Sequence, residues 1–253
     1  MSKQLEVEEA KGRLPLEDLK AHLASYLAER SFRKAISVPG KLSLIAEMKR
    51  KSPSRGMLRE RFDPVSLGQQ LQEAGAAALS VLTDEQYFGG HLDFLRDVKQ
   101  FTEVPILRKD FIVDAYQVYE AAMYGADAVL LIVRVLSEEQ LFQCMQAADL
   151  LGIEPLVEVH SREELKVALA AGAHVIGVNH RNLSTMTVDP KVSEHLVPEV
   201  PQGKVIVAES GISTPEDVER LQRLGVHAVL IGEALMVAQD PSTKIQELFA
   251  HVW

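Results

Sequence analysis

The sequence predicts one closed (β/α)8 barrel with an N-terminal helical extension, and three observations support this. Four segments share one form, a helix ended by glycine and followed at once by an apolar strand: Ala74-Gly75-Ala76-Ala77-Ala78-Leu79, Tyr124-Gly125-Ala126-Asp127-Ala128-Val129, Ala171-Gly172-Ala173-His174-Val175-Ile176 and Leu224-Gly225-Val226-His227-Ala228-Val229. Their glycines fall 50, 47 and 53 residues apart, which is the mark of an internal repeat. Four further strand-like runs, 44–47, 105–109, 155–158 and 205–209, lie between them, so that eight short apolar strands alternate with helical segments. Strict alternation implies a parallel sheet, and eight units in about 210 residues fit a closed barrel better than an open doubly wound sheet. The open sheet is the alternative; the chain carries no G-x-G-x-x-G turn of the kind that marks a dinucleotide site.

Taken in order, residues 1–40 form a unit of different pattern. Pro15 precedes Leu16, Leu19, Leu23 and Leu27, a single apolar stripe at helical spacing that needs a partner surface. A second short helix is expected over 31–36, stopping before Pro39-Gly40. The barrel is expected over 41–253, with helices at 65–74, 115–124, 137–150, 162–171 and 215–224. Thr214-Pro215-Glu216-Asp217 opens the last of these as a capped helix start, a structural role.

Composition narrows the functional classes. The 253 residues carry a formal net charge of −9, which argues against general nucleic-acid binding. No apolar run approaches the ~20 residues of a membrane span, and residues 1–40 have no signal-peptide pattern. A single cysteine, Cys144, excludes an intrachain disulfide, and no cluster has metal-ligand spacing. A soluble cytoplasmic protein is expected, as a monomer or alternatively a homodimer.

In a barrel of this kind the site lies at the carboxyl ends of the strands, so the last residues of each strand are candidates. The first strand ends in Glu47-Met48-Lys49, where Glu47 and Lys49 share a side, and Lys49, Arg50, Lys51 and Arg55 then place four cations within seven residues of an acidic chain. An anionic ligand would explain that reversal. The third strand ends in Lys109, the fifth in Glu158, the sixth in Asn179 with Arg181 beyond, and the seventh is followed by Ser210. By parity Lys109 faces the barrel interior with Leu107, Glu158 with Leu156 and Asn179 with Gly177, whereas Arg108 faces the helices. Several ionisable groups converging on one mouth are costly to bury without a function. Ser210-Gly211-Ile212 and Ile231-Gly232-Glu233-Ala234-Leu235 follow the last two strands, where phosphate commonly binds in this fold; either glycine alone would also fit as plain turn geometry. Phe88 and Phe111 could wall an aromatic pocket or simply pack. His160 and His180 lie near the mouth without metal spacing and read as solvated loop residues, and His174 and His227 start strands at the far end.

These motifs together resemble one family. Ile45-Ala46-Glu47-Met48-Lys49-Arg50-Lys51-Ser52-Pro53-Ser54, Leu107-Arg108-Lys109-Asp110-Phe111-Ile112, Leu156-Val157-Glu158-Val159-His160, Gly177-Val178-Asn179-His180-Arg181-Asn182-Leu183 and Ala208-Glu209-Ser210-Gly211-Ile212 resemble the indole-3-glycerol-phosphate synthases of tryptophan biosynthesis. The resemblance implies ring closure, decarboxylation and dehydration of 1-(2-carboxyphenylamino)-1-deoxyribulose 5-phosphate, a small phosphorylated substrate, without metal or organic cofactor. It implies Lys109 as the acid of ring closure, Glu158 as the base of dehydration and Lys49 as second acid, with Glu47, Asn179 and Ser210 positioning them. Lys51, Ser52, Gly211, Gly232 and Glu233 would bind the anionic ends with Arg181 nearby, Phe88 and Phe111 would hold the anthranilate ring, and the N-terminal helices would cap the barrel and border the substrate. The chain departs from the family at Gly232-Glu233-Ala234-Leu235, where a serine and a following arginine are common, and Arg134 has no assigned role. Two competing readings are a phosphoribosylanthranilate isomerase, which needs only one acid–base pair, and a phosphate-binding barrel without turnover.

Overall fold

The computed structural model describes residues 3–253, so Met1 and Ser2 of the expected extension lie outside the described residues. Eight parallel strands close into a barrel: β1 (Ser43–Met48), β2 (Ala78–Leu82), β3 (Ile106–Lys109), β4 (Ala128–Ile132), β5 (Glu154–Val159), β6 (Val175–Asn179), β7 (Val205–Glu209) and β8 (Ala228–Ile231). Each pairs with its successor, and β8 closes on β1 with Leu44 opposite Val229 and Ala46 opposite Ile231. Every strand but β3 and β5 is buried along its whole length, because one face fills the barrel and the other packs against the helices.

Local chemistry explains the alternation. Asp63, Ser137, Ser161 and Thr214 cap the helices Pro64–Glu73, Glu138–Leu151, Arg162–Ala170 and Pro215–Arg223, each accepting a hydrogen bond from a backbone N–H of the first turn. Gly75, Gly125, Gly172 and Gly225, the repeat glycines, all adopt left-handed backbone and turn the chain from helix to strand. Helix Glu138–Leu151 buries Cys144, whose thiol pKa burial pushes up to about 12, so it is an inert packing group.

The N-terminal extension differs from expectation. Its stripe does not run on to Leu27: the helix Leu16–His22 ends in a turn, and Leu27 is 67% exposed. A helix that the stripe did not indicate, Lys3–Arg13, precedes it, with Val7 buried and Leu5 facing outward. The short helix Phe32–Ile36 forms where expected, and its Phe32 and Ile36 are fully buried against Ala78, Val175, Val205 and Ala228, the opening residues of four strands. This helix therefore plugs the end of the barrel opposite the strand carboxyl ends.

Candidate active site

The carboxyl ends of the strands open into one cavity of about 690 Å3. Glu47, Lys49, Lys109, Glu158, Asn179, Arg181, Ser210, Gly211, Gly232 and Glu233 line it, with Ser52, Phe88 and Phe111. Lys51 does not line it: its side chain lies beside Gly89, on the other side of the small hairpin formed by Lys51–Ser52 and Gly56–Met57. Alternation explains this, since only one of two neighbouring strand residues can face the cavity. Arg55 of the same loop reaches the cavity instead and pairs with Glu233 at 3.0 Å. That pairing occupies the Glu233 carboxylate, which is itself a poor anion ligand.

The centre of the site is a cluster of opposed charges. Lys109 Nζ donates to Glu209 Oε2 at 2.5 Å and reaches Glu158 Oε2 at 3.5 Å, while Lys49 Nζ donates to Glu47 Oε1 at 2.5 Å. Burial alone would lower the Lys109 pKa, but Glu209, Glu158 and Glu47 together raise it above the ordinary lysine value. Burial lifts Glu209 to about 7; Lys109 opposes the rise, and Glu158 and Glu47 add to it. Burial also works against ionised Glu47, yet Lys49, Lys109 and Arg181 hold its pKa below the usual carboxylate range. Three carboxylates thus face two ammonium groups, and Glu209 is the one placed to keep a proton near neutrality.

Glu209 was not among the sequence candidates. Ser210, the residue after the strand, is the candidate that the sequence offers there; strand β7 ends at Glu209 as expected, in parity with Val205 and Val207, which belong to the barrel interior. Two glycines make room for this cluster. A Cβ at Gly177 would meet Glu209 Oε1, and one at Gly232 would lie 2.9 Å from Glu47 Cδ. The backbone of Gly232 is not left-handed, so close approach, more than turn geometry, explains this glycine.

The anion-facing groups gather on the loops after β7 and β8. Ser210 and Gly211 adopt consecutive left-handed conformations (φ 69° and 70°), unusual for serine, and turn the chain around the cavity edge. His180 is buried and donates from Nδ1 to the Ser210 carbonyl at 2.8 Å, with Ser193 Oγ 2.6 Å from its Nε2. It is therefore a structural histidine and not the solvated residue expected; burial pushes its pKa down. Ala234, where the family often has serine, also lines the cavity and offers no hydroxyl.

An aromatic wall stands across from the charges. Phe88 and Phe111 lie 6.2 Å apart, and Tyr87, unnoticed in the sequence, meets Phe111 edge-on at 6.4 Å. Two aspartates hold this wall: Asp84 accepts from Tyr87 N and Asp110 from Phe111 N. Lys3 of the N-terminal helix bridges both aspartates at 2.9 Å, which ties the extension to the cavity rim from behind. Arg108 faces the helices as expected and is buried in ion pairs with Asp110 and Glu120.

Residues 1–248 match the sequence profile of the family described as indole-3-glycerol phosphate synthase. The curated protein of that name from Campylobacter jejuni is 43% identical over 245 residues, covering 96% of this chain and 95% of its own. The chain belongs to the indole-3-glycerol phosphate synthase family. The synthase of Acetivibrio thermocellus is 47% identical over 219 residues, covering 87% of this chain and 84% of its own. Members of this family are carboxy-lyases of tryptophan biosynthesis. Among solved structures, a 3-hexulose-6-phosphate synthase superimposes with a TM-score of 0.68 at 16% identity, covering 84% of this chain and all of its own, a likeness in fold alone. Against the family pattern Arg134 now has a place: it pairs with Glu164 at 2.9 Å beside the fifth strand. Among the described residues no group of three or more His, Cys, Asp or Glu side chains is arranged around a metal position, and no helix is long and apolar enough to cross a membrane.

Proposed function

We propose that this cavity converts 1-(2-carboxyphenylamino)-1-deoxyribulose 5-phosphate into indole-3-glycerol phosphate, carbon dioxide and water. The observation that carries the reading is the position of Lys109, an ammonium held between Glu209 and Glu158 beside a second ammonium–carboxylate pair, Lys49 and Glu47. Ring closure needs a proton for the ribulose carbonyl oxygen as the aromatic carbon attacks, and Lys109 supplies it. Loss of carbon dioxide leaves its electron pair in the ring and restores aromaticity. Dehydration then needs an acid for the departing hydroxyl and a base for the ring proton: Lys49 serves as the acid and Glu158 as the base. Glu47 holds Lys49, Glu209 holds Lys109, and Asn179 and Ser210 fix the surrounding backbone and substrate groups. An isomerisation needs only one acid–base pair and leaves the second unexplained.

The two ends of the substrate fit opposite sides of the cavity. Its phosphate suits the Ser210-Gly211 turn, the N–H groups at Gly232 and Glu233, Ser52 and Arg55, with Arg181 nearby. Its anthranilate ring suits Phe88, Phe111 and Tyr87. Adding the substrate to the purified protein tests the reading: indole absorbance and fluorescence should appear with release of carbon dioxide. Substrate that binds and stays unchanged would leave a binding barrel in its place.

A further inference from the structure

Behind Glu158, outside the cavity lining, lies a chain of buried polar groups that the reaction above does not use. His160 continues the inward parity of Glu158 past the end of β5. Its side chain is only 5% exposed, and its Nε2 stands 3.3 Å from Glu158 Oε1. On its other side Nδ1 lies 3.1 Å from Glu164 Oε2, which also accepts the His160 backbone N–H at 2.7 Å. The second Glu164 oxygen accepts from Arg134 Nε at 2.9 Å. Burial disfavours the Glu164 charge, but its bonds to His160 and Arg134 outweigh that and keep its pKa below the ordinary value.

These contacts decide which nitrogen carries the proton. An ionised Glu164 can only accept, so Nδ1 donates to it, and in the neutral ring Nε2 then presents a lone pair. That lone pair faces Glu158 Oε1, and both atoms are buried without a hydrogen-bond partner. Two acceptors 3.3 Å apart are satisfied by one proton placed between them. A carboxylate behind an imidazole, fixing its tautomer and stabilising its cation, is a recurrent device for moving protons in enzymes.

We propose that His160 is a positioning residue and proton carrier for Glu158, which takes a proton from substrate and hands it to the His160 ring. In the transfer the Glu158 O–H bond breaks and a His160 Nε2–H bond forms, regenerating the carboxylate and leaving an imidazolium held by Glu164. The imidazolium later gives the same proton to water, so the cycle balances without any added reagent. Glu164 and Arg134, 15% and 34% exposed in their side chains, form the outer end of the chain toward solvent. The inference rests on the reading of Glu158 as the base. The charged groups acting on the pair are Glu164 and Arg134 from the outer side, and Lys109, itself bound to Glu209, from the cavity side.

The test compares His160→Gln, Glu164→Gln and Glu158→Gln with the parent, by circular dichroism, KM, kcat and the pH profile of kcat. A proton passed between the two side chains couples them, so the acid limb of the profile belongs to the pair and moves when its members or Glu164 are replaced. His160→Gln should fold, keep its KM, lose about tenfold or more in kcat, and show a displaced acid limb. Glu164→Gln should displace the limb as well with a smaller loss, and serves if the histidine variant does not fold. A merely structural histidine would change the plateau and leave the limb in place, and that outcome, or a parental kcat, overturns the proposal. Normal turnover by Glu158→Gln would instead overturn the assignment of the base itself.

Discussion

The two ends of the barrel are built on the same strand faces and do opposite things. One alternation along each strand separates Ile45 from Glu47, Leu107 from Lys109, Leu156 from Glu158, Gly177 from Asn179 and Val207 from Glu209. At the amino ends the inward residues are apolar, fully packed and plugged by Phe32 and Ile36. At the carboxyl ends they are polar and largely buried: three carboxylates, an ammonium group and the amide of Asn179. Burying each large apolar side chain stabilises the fold by about 1.5–3 kcal/mol, whereas each buried ion costs several kcal/mol before its partners offset it. Apolar packing and reactive groups are thus segregated two residues apart, and a change at the packed end should leave the chemistry nearly untouched.

The largest expected effect tests the reactive end. Lys109→Met keeps most of the aliphatic stem but removes the ammonium, so turnover should fall by ~10²-fold or more while the substrate still binds. Arginine at the same position should not rescue it, because a guanidinium holds its proton too tightly to act as an acid near neutrality. Stability should fall as well, by about 3–5 kcal/mol, because loss of the amine leaves Glu209 and Glu158 buried with one cation fewer. Single-turnover rates, substrate affinity and circular dichroism of both variants decide the matter. A folded methionine variant with the parental rate would move the first proton transfer to Lys49 and break the segregation.

The converse change is Phe32→Ala at the plugged end. Removing a fully buried phenylalanine should cost about 3–5 kcal/mol of stability, read by urea unfolding. The kcat of the folded fraction, measured well below the unfolding midpoint, should stay parental, because Phe32 packs at the amino ends of the strands. A stable variant with lowered kcat would show that the two ends communicate.

The same division explains what could be read in the chain beforehand. Strand number, barrel closure and the inward parity of Lys109, Glu158 and Asn179 follow from patterns of a few neighbouring residues, which sequence displays directly. Glu209 escapes although the strand 205–209 forms where expected: the loop residue Ser210 draws notice, whereas the inward parity of Val205 and Val207, carried to the last strand residue, points to Glu209. His160 reads as solvated from its polarity alone, although Ser161 and Glu164, three residues apart at a helix start, are the pattern that turns a carboxylate back toward it. The Lys3 bridge joins residues some eighty to a hundred positions apart and left no local trace. Helix Lys3–Arg13 was missed for a related reason: of its apolar residues Val7 is buried and Leu5 points outward, too thin a stripe to notice.

The smallest effect, and the one that measures the cost of the reactive end, concerns Glu209 and pH. Its pKa in the folded protein is about 7, against an ordinary value of 4.5, because burial disfavours its charge more than Lys109 favours it. Below pH 4.5 the group is protonated in both folded and unfolded chains and contributes its full stabilisation. Between that point and about 7 the unfolded chain has released the proton and the folded chain still holds it. The unfolded state then binds fewer protons, so this contribution is lost as pH rises through the window. Glu47, whose pKa is lowered, works in the opposite sense and at lower pH, losing its stabilisation only as the solution is acidified. Glu209→Gln carries no titrating group, so its stability relative to the parent should improve steadily from about pH 5 to about pH 8, by at most about 3 kcal/mol. Urea unfolding of both proteins across that range measures the difference. A flat difference would mean that Glu209 holds no proton at neutrality. An ionised Glu209 with an ordinary or lowered pKa would be charged in both states across this range, so the flat result would make it a charged partner of Lys109.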